Sequence, residues 1–221
     1  DPTLREKCFK YSDHLPVSKT ININGIDIQV GSYNVLFQKW LTMNIDTKDV
    51  KKGGHIGKYF SHLTTMTELD RIFGICLTVY DMIRVYGLDI IGLQEFDPKQ
   101  IGSIKTFLSH IGNYEIIMPN ELNGYDKGEE DLLTQKGNND IQVVIYNKDK
   151  IIHNKNKSHL FYYTVNNVKK INKRTMNISF TINELEFRFV NTHVQFNEMM
   201  QLVKYIENIK KPNNQEKMMI I

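Results

Sequence analysis

The sequence predicts an α+β sandwich, two β-sheets with helices packed outside them. Two observations carry that expectation. Short apolar or alternating segments bounded by turn residues recur along most of the chain. Few segments show helical periodicity, and these do not alternate one-for-one with the strands as a parallel α/β sheet would require. The 221 residues are 41% hydrophobic and 24% charged, a globular balance, and read as a single domain over 1–221.

Pro16 to Leu36 reads as a β-hairpin. Val17–Ile23 tends to alternate, Asn24-Gly25 suits a two-residue type I′ turn, and Ile26, Ile28 and Val30 alternate again. Residues 39–61 are polar, include Gly53-Gly54, and read as a long loop with Trp40 packed at its base. A helix follows. Thr67 and Asp70 make a capping pair, Leu69, Ile72, Phe73, Cys76, Tyr80 and Ile83 share one face, and Gly87 closes it. Leu88–Leu93 is a short strand buried on both faces. Asp97 and Pro98 then cap a second helix that runs to about Ile111.

Tyr114–Met118, Ile141–Tyr146, Leu160–Val165, Ile178–Ile182 and Leu185–Val190 read as strands, the last two joined by an Asn183-Glu184 turn. Residues 121–140 read as a mobile acidic loop. Met199, Leu202, Val203, Ile206 and Ile209 mark a final amphipathic helix, and Met218–Ile221 opens another strand.

Composition excludes several classes. No run of about 18 uncharged apolar residues occurs, so a helical membrane span is excluded. Cys8 and Cys76 form neither a disulfide framework nor a zinc site. With no apolar leader near the N-terminus, an intracellular compartment, cytoplasmic or nuclear, is expected. The net charge of +3 points only weakly to an anionic partner. Alanine is absent and Ile, Asn and Lys dominate, a coding bias rather than a chemical signal.

Four strings place polar residues at the ends of apolar strands: Gly31–Leu36, Asp89–Asp97, Phe189–Val194 and Ser12–Val17. Glu95 follows a buried run and needs a partner, either a hard cation or a salt bridge. Asp13-His14 sets a carboxylate beside an imidazole, as acid–base work requires. His193 closes a strand after Asn191-Thr192. Each string alone is weak.

Together they resemble the motifs of the endonuclease/exonuclease/phosphatase superfamily, metal-dependent phosphoesterases related to DNase I. Asn34 matches the Asn of the first strand motif, Glu95 the metal-binding Glu of the Gln-Glu motif, and His193 the His of the Asn-Thr-His motif. Asp13-His14 matches the Ser-Asp-His motif, and Arg174 sits where many members carry an Arg. The resemblance implies a DNase I-like four-layer αββα fold and a phosphoesterase, most often a nuclease, that uses Mg²⁺ or Mn²⁺ and in-line attack of water. Glu95 and Asn34 would serve the metal. His14, Asp13 and His193 would be catalytic, and Asn191 and Arg174 would touch substrate.

Two departures stand out. Ser-Asp-His ends the domain in the family but precedes everything else here, which a circular permutation through the Asn24-Gly25 hairpin explains. The Gly-Asp-x-Asn motif, expected after the strand at Met218, is not in the sequence, so the domain is expected to be incomplete at its C-terminal end. A non-catalytic binding or regulatory descendant is the alternative, as is a phosphoesterase of the phosphoinositide phosphatase or sphingomyelinase kind. The stretch 148–174 holds eight Lys or Arg against one acid, interleaved with Phe161, Tyr162 and Tyr163. It suits single-stranded nucleic acid, or else places solvated lysines on an outer sheet face.

Overall fold

The structure, a computed structural model, is described over residues 10–37, 41, 61–125, 140–165, 168–193, 196–209 and 217–220. The side chains of 61, 162–165, 168–174, 196–198, 205, 208–209 and 217–220 lie outside that description. So do Trp40 and, of the two long loops, residues 39, 42–60 and 126–139.

β1 (Val17–Ile23) and β2 (Ile26–Asn34) form the expected hairpin, with Val17 opposite Ser32 and Ile23 opposite Ile26. Asn24 and Gly25 both have positive φ, 52° and 86°, as a type I′ turn requires. The Asn22 side chain ties the turn by accepting from the Gly25 N–H.

After a short α1 (Ser61–Thr65) comes α2 (Glu68–Tyr86). Thr67 caps α2 by accepting from the Asp70 N–H, and Gly87 ends it in the left-handed conformation. The buried face is turned from the expected one. Ile72, Ile75, Cys76, Val79, Met82 and Ile83 face the sheet, whereas Leu69, Phe73 and Tyr80 are exposed. The helix is apolar nearly all round, so periodicity alone does not select a face.

β3 (Ile90–Phe96) extends beyond the expected strand and leads into a 3₁₀ turn at Pro98–Gln100, capped by Asp97, and then α3 (Ile101–Ser109). β4 (Tyr114–Ile117), β5 (Ile141–Asn147), β6 (Ile152–His153), β7 (His159–Val165), β8 (Val168–Ile182) and β9 (Leu185–Thr192) follow. β8 runs much further back than its apolar stretch predicts because it pairs with β7 along most of its length. α4 (Phe196–Ile209) and β10 (Lys217–Ile220) complete the described elements.

The strands form two sheets. The first runs β1-β2-β3-β5-β4, antiparallel except for β2 beside β3. The second runs β10-β9-β8-β6, with β7 also on β8 and β10 parallel to β9. Alternation along β5 separates two cores. Ile141, Val143 and Ile145 face the layer under α2 and α3, while Val144 and Tyr146 face the second sheet's Met176, Ile178, Phe180, Phe187 and Phe189. This is the mixed α+β, two-sheet architecture that the sequence predicts.

Candidate active site

The site forms where β2, β3 and β9 end together. Pairing of β3 with β5 shifts register between Leu93 and Phe96, and within that bulge Glu95 has φ 55°. A left-handed conformation is unfavourable for a residue with a Cβ, and bulges commonly re-aim a side chain. Here the bulge delivers the Glu95 carboxylate to the sheet rim.

Both carboxylate oxygens of Glu95 are held. Asn34 Nδ2 donates to Oε1 at 2.9 Å, and the Phe37 N–H donates to Oε2 at 3.3 Å. Asn34 Oδ1 in turn accepts from the Leu36 N–H at 2.9 Å. Asn34 therefore turns its amide nitrogen, not its oxygen, toward Glu95. His193 stands at the end of β9 with Nε2 3.3 Å from Glu95 Oε1. Its Nδ1 lies 4.0 Å from Asp140 Oδ2, beyond hydrogen-bond length, so the ring sits between two carboxylates.

The Ser12–His14 string reaches the same rim. Ser12 Oγ donates to the Asn34 carbonyl at 2.7 Å and accepts from the His14 N–H. Asp13 Oδ1 lies 3.5 Å from His14 Nε2, with His14 half exposed and Asp13 largely buried. The chain ahead of β1 is seated by Tyr11, whose ring fills a notch over Gly74. A Cβ there would come within 2.1 Å of the ring.

Asn34, Glu95 and His193 thus meet by direct contact, and Asp13 and His14 join them through Ser12. Asn191 does not face the site opening. It is fully buried, donating from Nδ2 to the Leu93 and Val143 carbonyls and accepting from Gln94 Nε2 at 2.6 Å. Those two carbonyls flank the β3 bulge, so Asn191 staples the second sheet to the first. The expectation of a substrate contact at Asn191 is corrected accordingly: its polar atoms serve the sheet junction. Arg174 lies on β8, and its side chain is outside the described residues.

The basic stretch is corrected in part. Phe161 is buried rather than open to a base. Lys148 pairs with Glu115, Lys150 with Asp89 and Lys157 with Glu186. Tyr162, Tyr163 and the later basic side chains lie outside the described residues.

Two residues escape the sequence reading. Asp140 stands immediately ahead of an apolar strand, the mirror of the signal that marks Glu95 after one. Arg71 lies near the start of α2, where a basic residue normally signals the solvent face, yet it is 1% exposed. Burial lowers its pKa to about 10.

Among the described residues no three His, Cys, Asp or Glu side chains converge as a metal cage. Glu95 at the rim offers a carboxylate of the kind Mg²⁺ accepts when waters and phosphate oxygens fill the remaining positions, and Asp140 stands across His193 from it. That donor chemistry fits a water-rich magnesium site and not a dedicated zinc site.

No protein-family model and no curated protein sequence matches the chain. Solved structures do match in fold. ANGEL2, described as a 2′,3′-cyclic phosphatase, superposes with a TM-score of 0.51 at 15% identity, covering 92% of this chain and 54% of that one. The endonuclease/exonuclease/phosphatase from Bacteroides vulgatus gives 0.50 at 17% identity, covering 88% and 64%. The human Nocturnin catalytic domain, with bound sulfate, gives 0.50 at 12% identity, covering 92% and 65%. The chain therefore spans a little over half to just under two thirds of the length of these structures. The chain resembles the endonuclease/exonuclease/phosphatase proteins in its motifs, and its fold is their DNase I-like sandwich.

Proposed function

We propose that this chain is a Mg²⁺-dependent phosphoesterase of the endonuclease/exonuclease/phosphatase superfamily, circularly permuted, with nucleic acid as its substrate. One observation carries the reading. Residues 34, 95 and 193, far apart in sequence and each singled out by a short motif, meet at one sheet rim, Asn34 hydrogen-bonded to Glu95 and the His193 ring 3.3 Å from the same carboxylate oxygen. The DNase I-like fold supports the same reaction class, and Nocturnin's bound sulfate is a tetrahedral oxyanion like the proposed phosphate. The permutation is supported by Ser12, which ties the displaced Ser-Asp-His string to the Asn34 carbonyl.

Glu95 would hold the metal, with Mn²⁺ as an acceptable substitute. When bound, the cation supplies Lewis acidity and neutralises charge on the phosphate. Asn34 and the Phe37 N–H fix the carboxylate so that no reorganisation is needed as substrate arrives. His193 stands between Glu95 and Asp140 with Nε2 toward Glu95, and its role would be to turn that N–H onto a non-bridging phosphate oxygen. His14, steadied by Asp13, handles the proton of the attacking water or of the leaving alcohol.

Hydrolysis of bis-p-nitrophenyl phosphate, p-nitrophenyl phosphate and an end-labelled oligonucleotide, with Mg²⁺ and with EDTA, tests the proposal. Cleavage that needs Mg²⁺ and favours the diesters is the expected result. Absence of metal-dependent cleavage of all three overturns it.

A further inference from the structure

We infer that Arg71 is a positioning residue of this site: its guanidinium, through the carbonyls of Val35 and Leu36, sets the backbone segment that grips Glu95. The kinetic consequence rests on the phosphoesterase reading; the mechanical one does not.

Arg71 projects from the first turn of α2 into the interior, where it ranks among the largest fully buried side chains. A buried cation must be compensated by hydrogen bonds and opposing charge. Its Nη2 donates to the Val35 and Leu36 carbonyls together. The carboxylates of Asp97, Asp13 and Glu68 also lie near enough for their charge to act on it.

Those two carbonyls belong to the turn that leaves β2. Leu36 has φ 59°, a left-handed conformation that a leucine keeps only when its surroundings over-determine it. With the carbonyls drawn toward Arg71, the N–H groups of the same segment serve the other side. Leu36 N–H meets Asn34 Oδ1, and Phe37 N–H meets Glu95 Oε2. Asn34 Nδ2 then meets Glu95 Oε1. Each oxygen of Glu95 is thus held by a group anchored in the segment that Arg71 fixes. One turn further along α2, Gly74 receives Tyr11 and seats the segment that carries Asp13 and His14. A single stretch of helix therefore aligns both parts of the site. Lysine cannot replace the arginine fully, because its ammonium, on a flexible four-carbon stem, reaches less far than the guanidinium nitrogens and lacks the planar fork.

The test compares wild type with Arg71→Met and Arg71→Lys by amide hydrogen exchange and by steady-state kinetics. Met removes the donors without burying a new charge, and Lys keeps the charge. The expected result is a loss of exchange protection of tenfold or more at Leu36 and Phe37 in Arg71→Met, with Val143 and Ile145 unchanged. A smaller loss is expected in Arg71→Lys. On bis-p-nitrophenyl phosphate, kcat falls tenfold or more in Arg71→Met while KM stays within threefold, and Arg71→Lys recovers part of it. Unchanged protection at Leu36 and Phe37 in a folded variant overturns the inference, and so does uniform loss across the core. If Arg71→Met does not fold, Arg71→Lys carries the same comparison. A wild type that hydrolyses nothing overturns the functional reading only, and the exchange data still decide Arg71's role.

Discussion

β3 has a carboxylate at each end, and the two have opposite fates. Asp89, just ahead of the strand, is buried, accepts from the Gln29 N–H at 3.0 Å and meets Lys150 Nζ at 2.7 Å. A permanent cation closes its charge, and it works as a clamp between β2 and the turn after β5. Glu95, at the other end, meets an amide, a backbone N–H and a histidine, and among the described residues no Lys or Arg pairs with it. It is held in place with no described Lys or Arg against it, the arrangement that the proposed cation would need. A polar residue at the end of an apolar strand is therefore an ambiguous signal; the kind of partner separates a clamp from a site.

The comparison is broken most directly by neutralising each carboxylate in turn. Glu95→Gln should cut Mg²⁺-dependent hydrolysis about 10³-fold or more, the scale of losing a preorganised charge, while the thermal midpoint moves by only a few degrees. Asp89→Ala should do the reverse. It leaves the Gln29 N–H without its acceptor and removes the partner of the half-exposed Lys150, costs about 1–3 kcal/mol in denaturant unfolding, and leaves kcat near wild type. Equal effects of the two substitutions on activity would erase the distinction.

A second substitution sharpens it by acting behind Glu95. Gly92 lies two residues before the bulge, and a Cβ there would come within 2.7 Å of Asn191 Oδ1. Gly92→Ala should push the Asn191 staple off the Leu93 and Val143 carbonyls, cost about 1–3 kcal/mol and lower activity through misplacement of Glu95. Unfolding curves and kcat measured together check this.

The smallest effect lies far from either carboxylate. The turn joining β8 and β9 has Asn183 and Glu184 at φ 45° and 67°, where the first hairpin uses Asn24-Gly25. Glu184→Gly removes a strained Cβ and should stabilise the fold by about 1 kcal/mol without altering activity. A shift of the denaturant midpoint in the opposite direction would contradict that reading.

The same contrast marks what was legible in the sequence. The Asn24-Gly25 hairpin, the capped α2 and the rim position of Glu95 are local matters of turn chemistry, caps and strand endings, and each lies where the residues predict. The buried face of α2 was not legible, because its apolar residues ring the helix and the choice belongs to the sheet and to Tyr11. Arg71 was not legible either, since its partners are backbone carbonyls 35 and 36 residues away. Asn191 carried the right motif and a different task. Its amide meets the two carbonyls beside the β3 bulge, and that bulge has no local signature in Gln94-Glu95.

If Glu95 holds the proposed cation, the Glu95 end of β3 binds Mg²⁺ and the Asp89 end does not. Calorimetric titration of Mg²⁺ and Mn²⁺ into wild type, Glu95→Gln and Asp89→Asn tests it without any substrate. One binding event is expected in wild type, retained in Asp89→Asn and lost in Glu95→Gln. Undiminished binding in Glu95→Gln would contradict it.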